Sequence, residues 1–326
     1  MIHDALAVST AVAAPTPART RMLADVRDGL FRPGQKELPP TYFYDARGSR
    51  LFDEITRLEE YYPTRAERAL LEKHADEIAE LTAPRAFAEL GAGTAEKSRV
   101  LLRAMLARGP VQYLPIDVDG HTLDETARAL RRALPALEVA PIIADMRDDV
   151  TADGARHPLL YGFLGSTIGN FDTPSATALL QSIRTSLRSG DRLLVGMDLV
   201  KDTRVLEAAY NDSKGVTRDF NLNVLRVLNR ELGADFPLEA FEHRAIYDEA
   251  LARIEMHLDV RRDCTVRVPG IGCLELVAGE SIRTEISCKY DRASATSLLT
   301  AGGFQLTEWF VSAAPEFALA VAEPVE

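Results

Sequence analysis

The run Glu89-Leu90-Gly91-Ala92-Gly93-Thr94 sets two glycines between an apolar stretch, AFAEL at 86–90, and a segment of helical spacing at 95–108, where Val100, Leu101, Met105 and Leu106 fall close to one face. Glycines at a strand-to-helix junction let backbone approach a ligand closely, and the first helical turn offers unpaired N–H groups. A dinucleotide GxGxxG pattern needs glycine at 96, where the chain has Glu96. Alone, Gly-Ala-Gly reads equally as a tight turn. Two carboxylates add to it. Asp117 ends a second apolar stretch, QYLPID, 26 residues after Gly91, and Asp145 follows a third, EVAPIIA. A strand-end carboxylate at 117 suits the two hydroxyls of a ribose, and one at 145 suits an adenine amino group. Singly, each also fits a helix cap. Together with a loop that lacks the third glycine, they fit S-adenosylmethionine (SAM) better than NAD, because SAM has ribose and adenine but no pyrophosphate.

Three further segments carry polar or aromatic groups of interest. Gly165-Ser166-Thr167-Ile168-Gly169-Asn170 follows the apolar LLYGFL. Asn170 there offers both a donor and an acceptor, which suits an amino acid's ammonium and carboxylate; the other reading is a polar helix lead-in. Tyr42, Phe43, Tyr44, Phe52, Tyr61 and Tyr62 crowd into residues 42–62. For any one of them core packing is the simpler role, although aromatic faces also hold alkylated ammonium groups. In the strand-like TEIS, Glu285 and Ser287 are two apart and share a face. Without further information that pair reads as a solvated strand face.

The elements that must position these residues alternate. Strand-like segments at 86–90, 112–117, 138–144, 159–164 and 192–199 are separated by helix-like ones at 95–108, 121–134 and 174–188. Such alternation implies right-handed crossovers and a parallel sheet covered on both faces. It stops at 201–280, where a helix-rich part is followed by strand-like runs, and resumes with a helix at 291–301. QLTEWFV and FALAVAE then lie close enough to pair as a hairpin, giving the sheet an antiparallel edge. About 90 residues are too many for a connecting loop. The expectation is a Rossmann-like α/β domain at 66–200 plus 290–326, interrupted by a second, α+β domain at 21–65 plus 201–289, after a flexible lead-in at 1–20.

Composition narrows the function. The 326 residues carry a net charge of −11, with 46% hydrophobic and 27% charged residues. An apolar fraction of that size argues against wholesale disorder. The acidic balance argues against nucleic-acid binding and against anionic membrane surfaces. No apolar run approaches the ~18 residues of a membrane span. The Ala-rich start has no Lys or Arg ahead of its apolar stretch and carries Asp4, so it does not read as a signal peptide. The expected location is the cytoplasm. Cys264, Cys273 and Cys288 are spaced by eight and fourteen residues, which fits no zinc knuckle. They are expected to be reduced and mostly buried, and no metal site is expected.

Taken together, LPPTYFYDARGSRLFDEITRLEEYYPTRAE, ELGAGTAEKSR, FLGSTIGNF, DLVKDTRVLEAAYNDSKGVTRDFNLNVL, ARIEM and TEISCKY resemble the L-histidine Nα-methyltransferase family of ergothioneine biosynthesis. The resemblance runs from about residue 20 to 320. It implies transfer of three methyl groups from SAM to the α-nitrogen of histidine, giving hercynine and S-adenosyl-L-homocysteine, by a SAM-dependent methyltransferase domain and a substrate domain. Carried over by position, Gly91, Lys97, Asp117, Asp145 and Met146 would bind the cofactor. Tyr61, Gly165, Asn170, Tyr210, Glu285 and Ser287 would bind histidine, with Tyr44 and Phe52 beside the amino group and Met256 beside the imidazole. Ala92 and Ala95 stand where the family has serine, and Met146 where it has phenylalanine. The backbone N–H groups of the loop remain, and methionine still covers an adenine face.

The implied chemistry is an in-line displacement in which positioning is the protein's main task. The amine must be neutral, so each methylation releases a proton. Tyr44 or a water near Asn170 is the expected acceptor, with no strong general base assigned. Asn170 and Tyr210 would hold the carboxylate, Glu285 would accept an imidazole N–H, and Ser287 would serve the other nitrogen. The mono- and dimethyl intermediates would stay against the Tyr44 and Phe52 wall. The protein is expected to act as a monomer on a small molecule. The alternatives are another acceptor such as tryptophan, an NAD-dependent oxidoreductase, and a non-catalytic sensor of SAM or an amino acid.

Overall fold

The computed structural model describes residues 16–148 and 150–325. Positions 1–15 of the expected lead-in lie outside them, and Thr16 already caps a helix by accepting from the Arg19 N–H. In chain order the elements are α1 (Pro17–Leu30), β1 (Lys36–Glu37), α2 (Ala46–Ile55), α3 (Pro63–Thr82), β2 (Ala86–Leu90), α4 (Ser98–Leu106), β3 (Gln112–Asp117), α5 (Gly120–Ala133), β4 (Glu138–Val139), β5 (Ile142–Ile143) and β6 (Leu159–Phe163). Then follow α6 (Thr173–Thr185), β7 (Arg192–Asp198), α7 (Thr203–Tyr210), α8 (Val216–Leu232), β8 (Phe241–Asp248), β9 (Arg253–Val260), β10 (Cys264–Val268), β11 (Gly272–Leu276), β12 (Ser281–Cys288), α9 (Arg292–Ala301), β13 (Phe304–Val311) and β14 (Phe317–Pro324).

The large sheet runs β13-β14-β7-β6-β2-β3-β4, with β5 also pairing β3. Its centre is parallel, and β14 and β13 extend it antiparallel beyond β7. Every residue of β2 and β6 is buried, as expected of strands covered on both faces. Glu89 is therefore a buried carboxylate within β2. Hydrogen bonds from Ser98 Oγ (2.5 Å) and the Tyr113 hydroxyl satisfy it, while burial pushes its pKa up to about 7. The strand expected over 138–144 is two short pieces, because Pro141 has no N–H to donate.

A second sheet has the order β1-β12-β9-β8, and β10-β11 forms a separate hairpin. The N-terminal segment thus joins the inserted one: β1 pairs with β12, and Arg19 of α1 donates to the last carbonyls of α8. One irregularity decides which residues face inward. Arg283 lies opposite His257 but Glu285 lies opposite Met256, so Thr284 is the extra residue of a β-bulge. Its hydroxyl is tied to Asn221 Oδ1 (2.6 Å) and the Met256 carbonyl (3.1 Å). Without the bulge, Glu285 would share Arg283's face, where Arg283 pairs with Glu37 and Glu255. The bulge turns it to the face of Met256 and Ser287.

Among the described residues no helix is long and apolar enough to cross a membrane. The three cysteines are free thiols, but the expectation that they are mostly buried does not hold. Cys273 is exposed and the other two are half-buried, because Cys273 sits on the outward face of the β10-β11 hairpin, opposite Arg267.

Candidate active site

Two adjoining regions lie at the carboxyl ends of the parallel strands. In the first, the loop after β2 carries Gly91 and Gly93 at φ +68° and +49°, the left-handed region that favours glycine. A Cβ on Gly91 would meet Met146 Cε at 3.6 Å, and one on Gly93 would meet nothing within 4 Å. Asp117, at the end of β3, accepts the Gly93 N–H on Oδ2 (3.0 Å) and the Asp119 N–H on Oδ1 (3.1 Å). It does not cap the following helix; Asp119 does, through the N–H groups of His121 and Thr122. The carboxylate is thus oriented, and each oxygen keeps acceptor capacity for a diol. The glycine cradle, the oriented acid and the adjacent thioether fit the ribose and adenine ends of SAM.

Asp145 is less free than its sequence position implies. Arg147 grips it from two nitrogens at 2.8 to 3.2 Å, and Arg21 of α1 reaches it at 3.2 Å. Burial works against the charge, but these contacts outweigh it and hold the carboxyl below its ordinary range. Arg147 also pairs with Asp25 at 2.8 Å, so α1 is clamped to the strand end that carries Asp145.

The second region is a cavity of about 570 Å³, counting its open mouth. Tyr44, Phe52, Tyr61, Gly165, Asn170, Tyr210, Met256, Glu285 and Ser287 all line it. Residues far apart in sequence therefore meet there. Asp45 caps α2 through the Gly48 N–H (2.8 Å), and Gly48 lets the chain pass so close that a Cβ would sit 1.7 Å from the Phe43 carbonyl oxygen. That turn presents Tyr44 and Phe52, whose rings meet edge to face at 5.8 Å; Tyr61 approaches Phe52 at 6.3 Å and Tyr210 at 6.1 Å. Burial, with Glu285, Asp117 and Tyr210 nearby, pushes the Tyr44 hydroxyl well above its ordinary value. Its ring is nonetheless partly open to the cavity mouth.

Gly165 and Asn170 sit at the carboxyl end of β6. Gly165 (φ +79°) and Ser166 (φ +57°) turn the chain sharply into a short 3₁₀ helix, Thr167–Asn170. A non-glycine residue in that region costs about 1–2 kcal/mol, and Ser166 Oγ is fixed there by the Asp198 N–H (2.9 Å). Gly169 packs so tightly on β12 that a Cβ would lie 2.8 Å from the Cys288 carbonyl oxygen. The cap of α6 is Asp172 rather than any residue of the GSTIGN run.

Sequence reasoning passed over the residues beneath the cavity. Glu67 of α3 is fully buried and accepts the Gly165 N–H (2.6 Å) and Lys97 Nζ. Gly196 leaves it room, since a Cβ there would sit 2.0 Å from its Oε1. Lys97 therefore joins the cofactor loop to the cavity wall. Asp198, at the end of β7, lies in a buried cluster with the Tyr62 hydroxyl (2.7 Å), Lys201 (2.5 Å) and Lys289 (2.9 Å). Burial alone would raise Asp198, yet Lys289 and Lys201 hold it below the ordinary carboxylate range. Asp198 ends a strand as Asp117 does, which was the available signal; Lys289 had none.

Glu285 differs from all of these. It has no hydrogen-bond or ion-pair partner among the described residues, and burial pushes its carboxyl up to about 7 despite the pull of Lys289. An acceptor held unpaired on a cavity wall is a place for a ligand's N–H.

A parallel sheet with a glycine loop, a ribose-type acid at the next strand end and an adjoining polar cavity defines a Rossmann-like class I SAM-dependent methyltransferase. A profile of histidine-specific, SAM-dependent methyltransferases matches residues 22–324. The histidine N-alpha-methyltransferase of Mycobacterium tuberculosis is 43% identical over 303 residues, covering 91% of this chain and 93% of that protein. Its counterpart in Mycolicibacterium smegmatis is 42% identical over 300 residues, with the same coverage. Ergothioneine biosynthesis protein 1 of Schizosaccharomyces pombe is 29% identical over 296 residues, covering 86% of this chain and 38% of that protein. The chain belongs to the histidine-specific, SAM-dependent methyltransferase family.

Proposed function

We propose that this chain transfers three methyl groups from SAM to the α-nitrogen of L-histidine, giving hercynine in the first step of ergothioneine synthesis and releasing S-adenosyl-L-homocysteine. The observation that carries the reading is the unpaired Glu285 carboxylate facing the cavity, with the Ser287 hydroxyl on the same face. An imidazole presents one N–H and one bare nitrogen, and these two groups complement it. The names of the two most similar relatives reported above point the same way.

SAM, when bound, supplies an activated methyl group. In this reading Gly91, Asp117, Asp145, Met146 and Lys97 hold it against the large sheet, and the smaller sheet with residues 21–65 holds the amino acid. Asn170 and Gly165 fix the backbone end of histidine. Met256 packs beside the ring, and Tyr44, Phe52 and Tyr61 wall the nitrogen as it gains methyl groups and becomes a fixed cation. The proton shed by the amine at each transfer passes to Tyr44 or to water beside Asn170. The mono- and dimethyl intermediates remain bound against the same wall. We place the enzyme in the cytoplasm, a reading supported by its three free thiols, and take it to act as a monomer.

The test is to incubate the purified protein with SAM and each proteinogenic amino acid in turn and to follow methyl incorporation by mass spectrometry. Histidine alone should gain three methyl groups. Methylation of tryptophan in preference to histidine would reject the substrate assignment.

A further inference from the structure

Lys289 is a fully buried ammonium next to the cavity. It has three N–H groups and three partners: Asp198 (2.9 Å), Ser287 Oγ (2.8 Å) and the Tyr210 hydroxyl (3.1 Å). The Tyr210 hydroxyl in turn donates to Ser287 Oγ at 2.9 Å, so its one proton is not free for the substrate carboxylate, the role expected of Tyr210 from the sequence. A phenol is a stronger acid than an aliphatic alcohol, so the shared proton belongs to the tyrosine. Burial opposes the charge on Lys289, but Asp198 beside it outweighs that and keeps it protonated.

A hydroxyl oxygen has two acceptor sites and one proton. Both acceptor sites of Ser287 are filled, one by Lys289 and one by Tyr210. Its own proton has no partner among the described residues, and Ser287 lines the cavity. We propose that Lys289, working with Tyr210, is a positioning residue that fixes Ser287 as a hydrogen-bond donor into the cavity. The pocket then reads polarity as well as shape: a ring atom carrying a proton at Glu285, and a ring atom lacking one at Ser287. This selects the neutral imidazole in a single orientation, and it disfavours rings that offer an N–H at both positions. Lys289 touches no substrate in this account and acts through Ser287. The inference rests on the proposal that the ring of histidine lies at Glu285 and Ser287.

The experiment uses two alanine derivatives, one bearing a pyrrole ring (an N–H but no bare nitrogen) and one a thiazole ring (a bare nitrogen but no N–H). kcat/KM for the first methyl transfer is measured relative to L-histidine. The unaltered enzyme should disfavour the pyrrole compound by about tenfold or more, since the Ser287 proton is left unpaired. In Lys289→Met combined with Asp198→Asn, which removes two of the three buried charges and leaves Lys201, Ser287 is free to turn its proton away from the ring. The pyrrole penalty should then shrink by at least about fivefold, while the thiazole penalty, set by Glu285, stays. Tyr210→Phe frees one acceptor site on Ser287 with little change of shape. It should shrink the same penalty, and it carries the test if the double variant does not fold. A pyrrole penalty unchanged in every variant that binds SAM by calorimetry overturns the proposal. If Ser287→Ala and Glu285→Ala leave KM for histidine and both penalties untouched, the placement of the ring itself is wrong.

Discussion

Replacing Glu285 by glutamine should change how stability depends on pH, in the absence of any substrate. Glu285 titrates near 7 in the folded protein, against an ordinary 4.5. Below 4.5 both folded and unfolded chains carry the proton, and the group is neutral in either state. Between 4.5 and about 7 the unfolded chain loses its proton while the folded one keeps it, so stability falls as pH rises; above 7 the full penalty applies. At 1.36 kcal/mol per pH unit, the whole rise is worth roughly 3 kcal/mol. Measurements from pH 5.5 to 8, clear of the isoelectric point near 5.2, capture roughly 2 kcal/mol of it. Screening through the open cavity mouth reduces that to about 1–2 kcal/mol. Glu285→Gln is nearly isosteric and carries no such penalty. Urea unfolding of both proteins across that range should show the variant gaining about 1–2 kcal/mol on the parent as pH rises. Glu89 titrates in the same window but is common to both proteins and cancels in the difference. Parallel curves would mean that the Glu285 carboxylate is solvated, and its role as an unpaired acceptor awaiting a ring N–H would fall with it.

Three other perturbations follow from the same geometry. Asp117→Ala removes the acceptor for the Gly93 and Asp119 N–H groups; SAM affinity by calorimetry should drop at least about tenfold, with the circular dichroism spectrum retained. Gly169→Ala puts a Cβ 2.8 Å from the Cys288 carbonyl oxygen, so the 3₁₀ turn must lift off β12; kcat/KM for histidine should fall by about a hundredfold, while SAM affinity holds. Glu67→Ala strips Lys97 and the Gly165 N–H of their partner; the cost should be about 3 kcal/mol or more, read as a lower melting temperature with weakened binding of both ligands.

The parts of the site legible in the sequence are those whose chemistry is local. Gly91 and Gly93 announce themselves because a strand-to-helix turn needs positive φ, and Asp117 because it ends a strand. The alternation of apolar and amphipathic segments pointed to the parallel sheet, and its long interruption marked the stretch that holds most of the second one. What escaped is what long-range contact creates. Glu67 reads as one more acid on an amphipathic helix, and only the fold brings Gly165 and Gly196 against it. Lys289 reads as a surface lysine two residues past Ser287, yet its ammonium lies between Asp198 and Tyr210, from strands and helices far apart in the chain. The alternation rule correctly put Glu285 and Ser287 on one face. The bulge at Thr284, which brings them to the face of Met256, depends on the partner strand and left no trace in the sequence. Strand-end logic applied to Asp117 and Asp145 would also have reached Asp198.

The most direct test of the central claim uses SAM carrying a ¹³C label in its transferable methyl group, turned over with L-histidine and read by NMR. The account predicts one product whose three labelled methyl groups are equivalent and lie on the α-nitrogen, with the imidazole nitrogens unmodified. Label on a ring nitrogen, or no transfer to histidine at all, would contradict it.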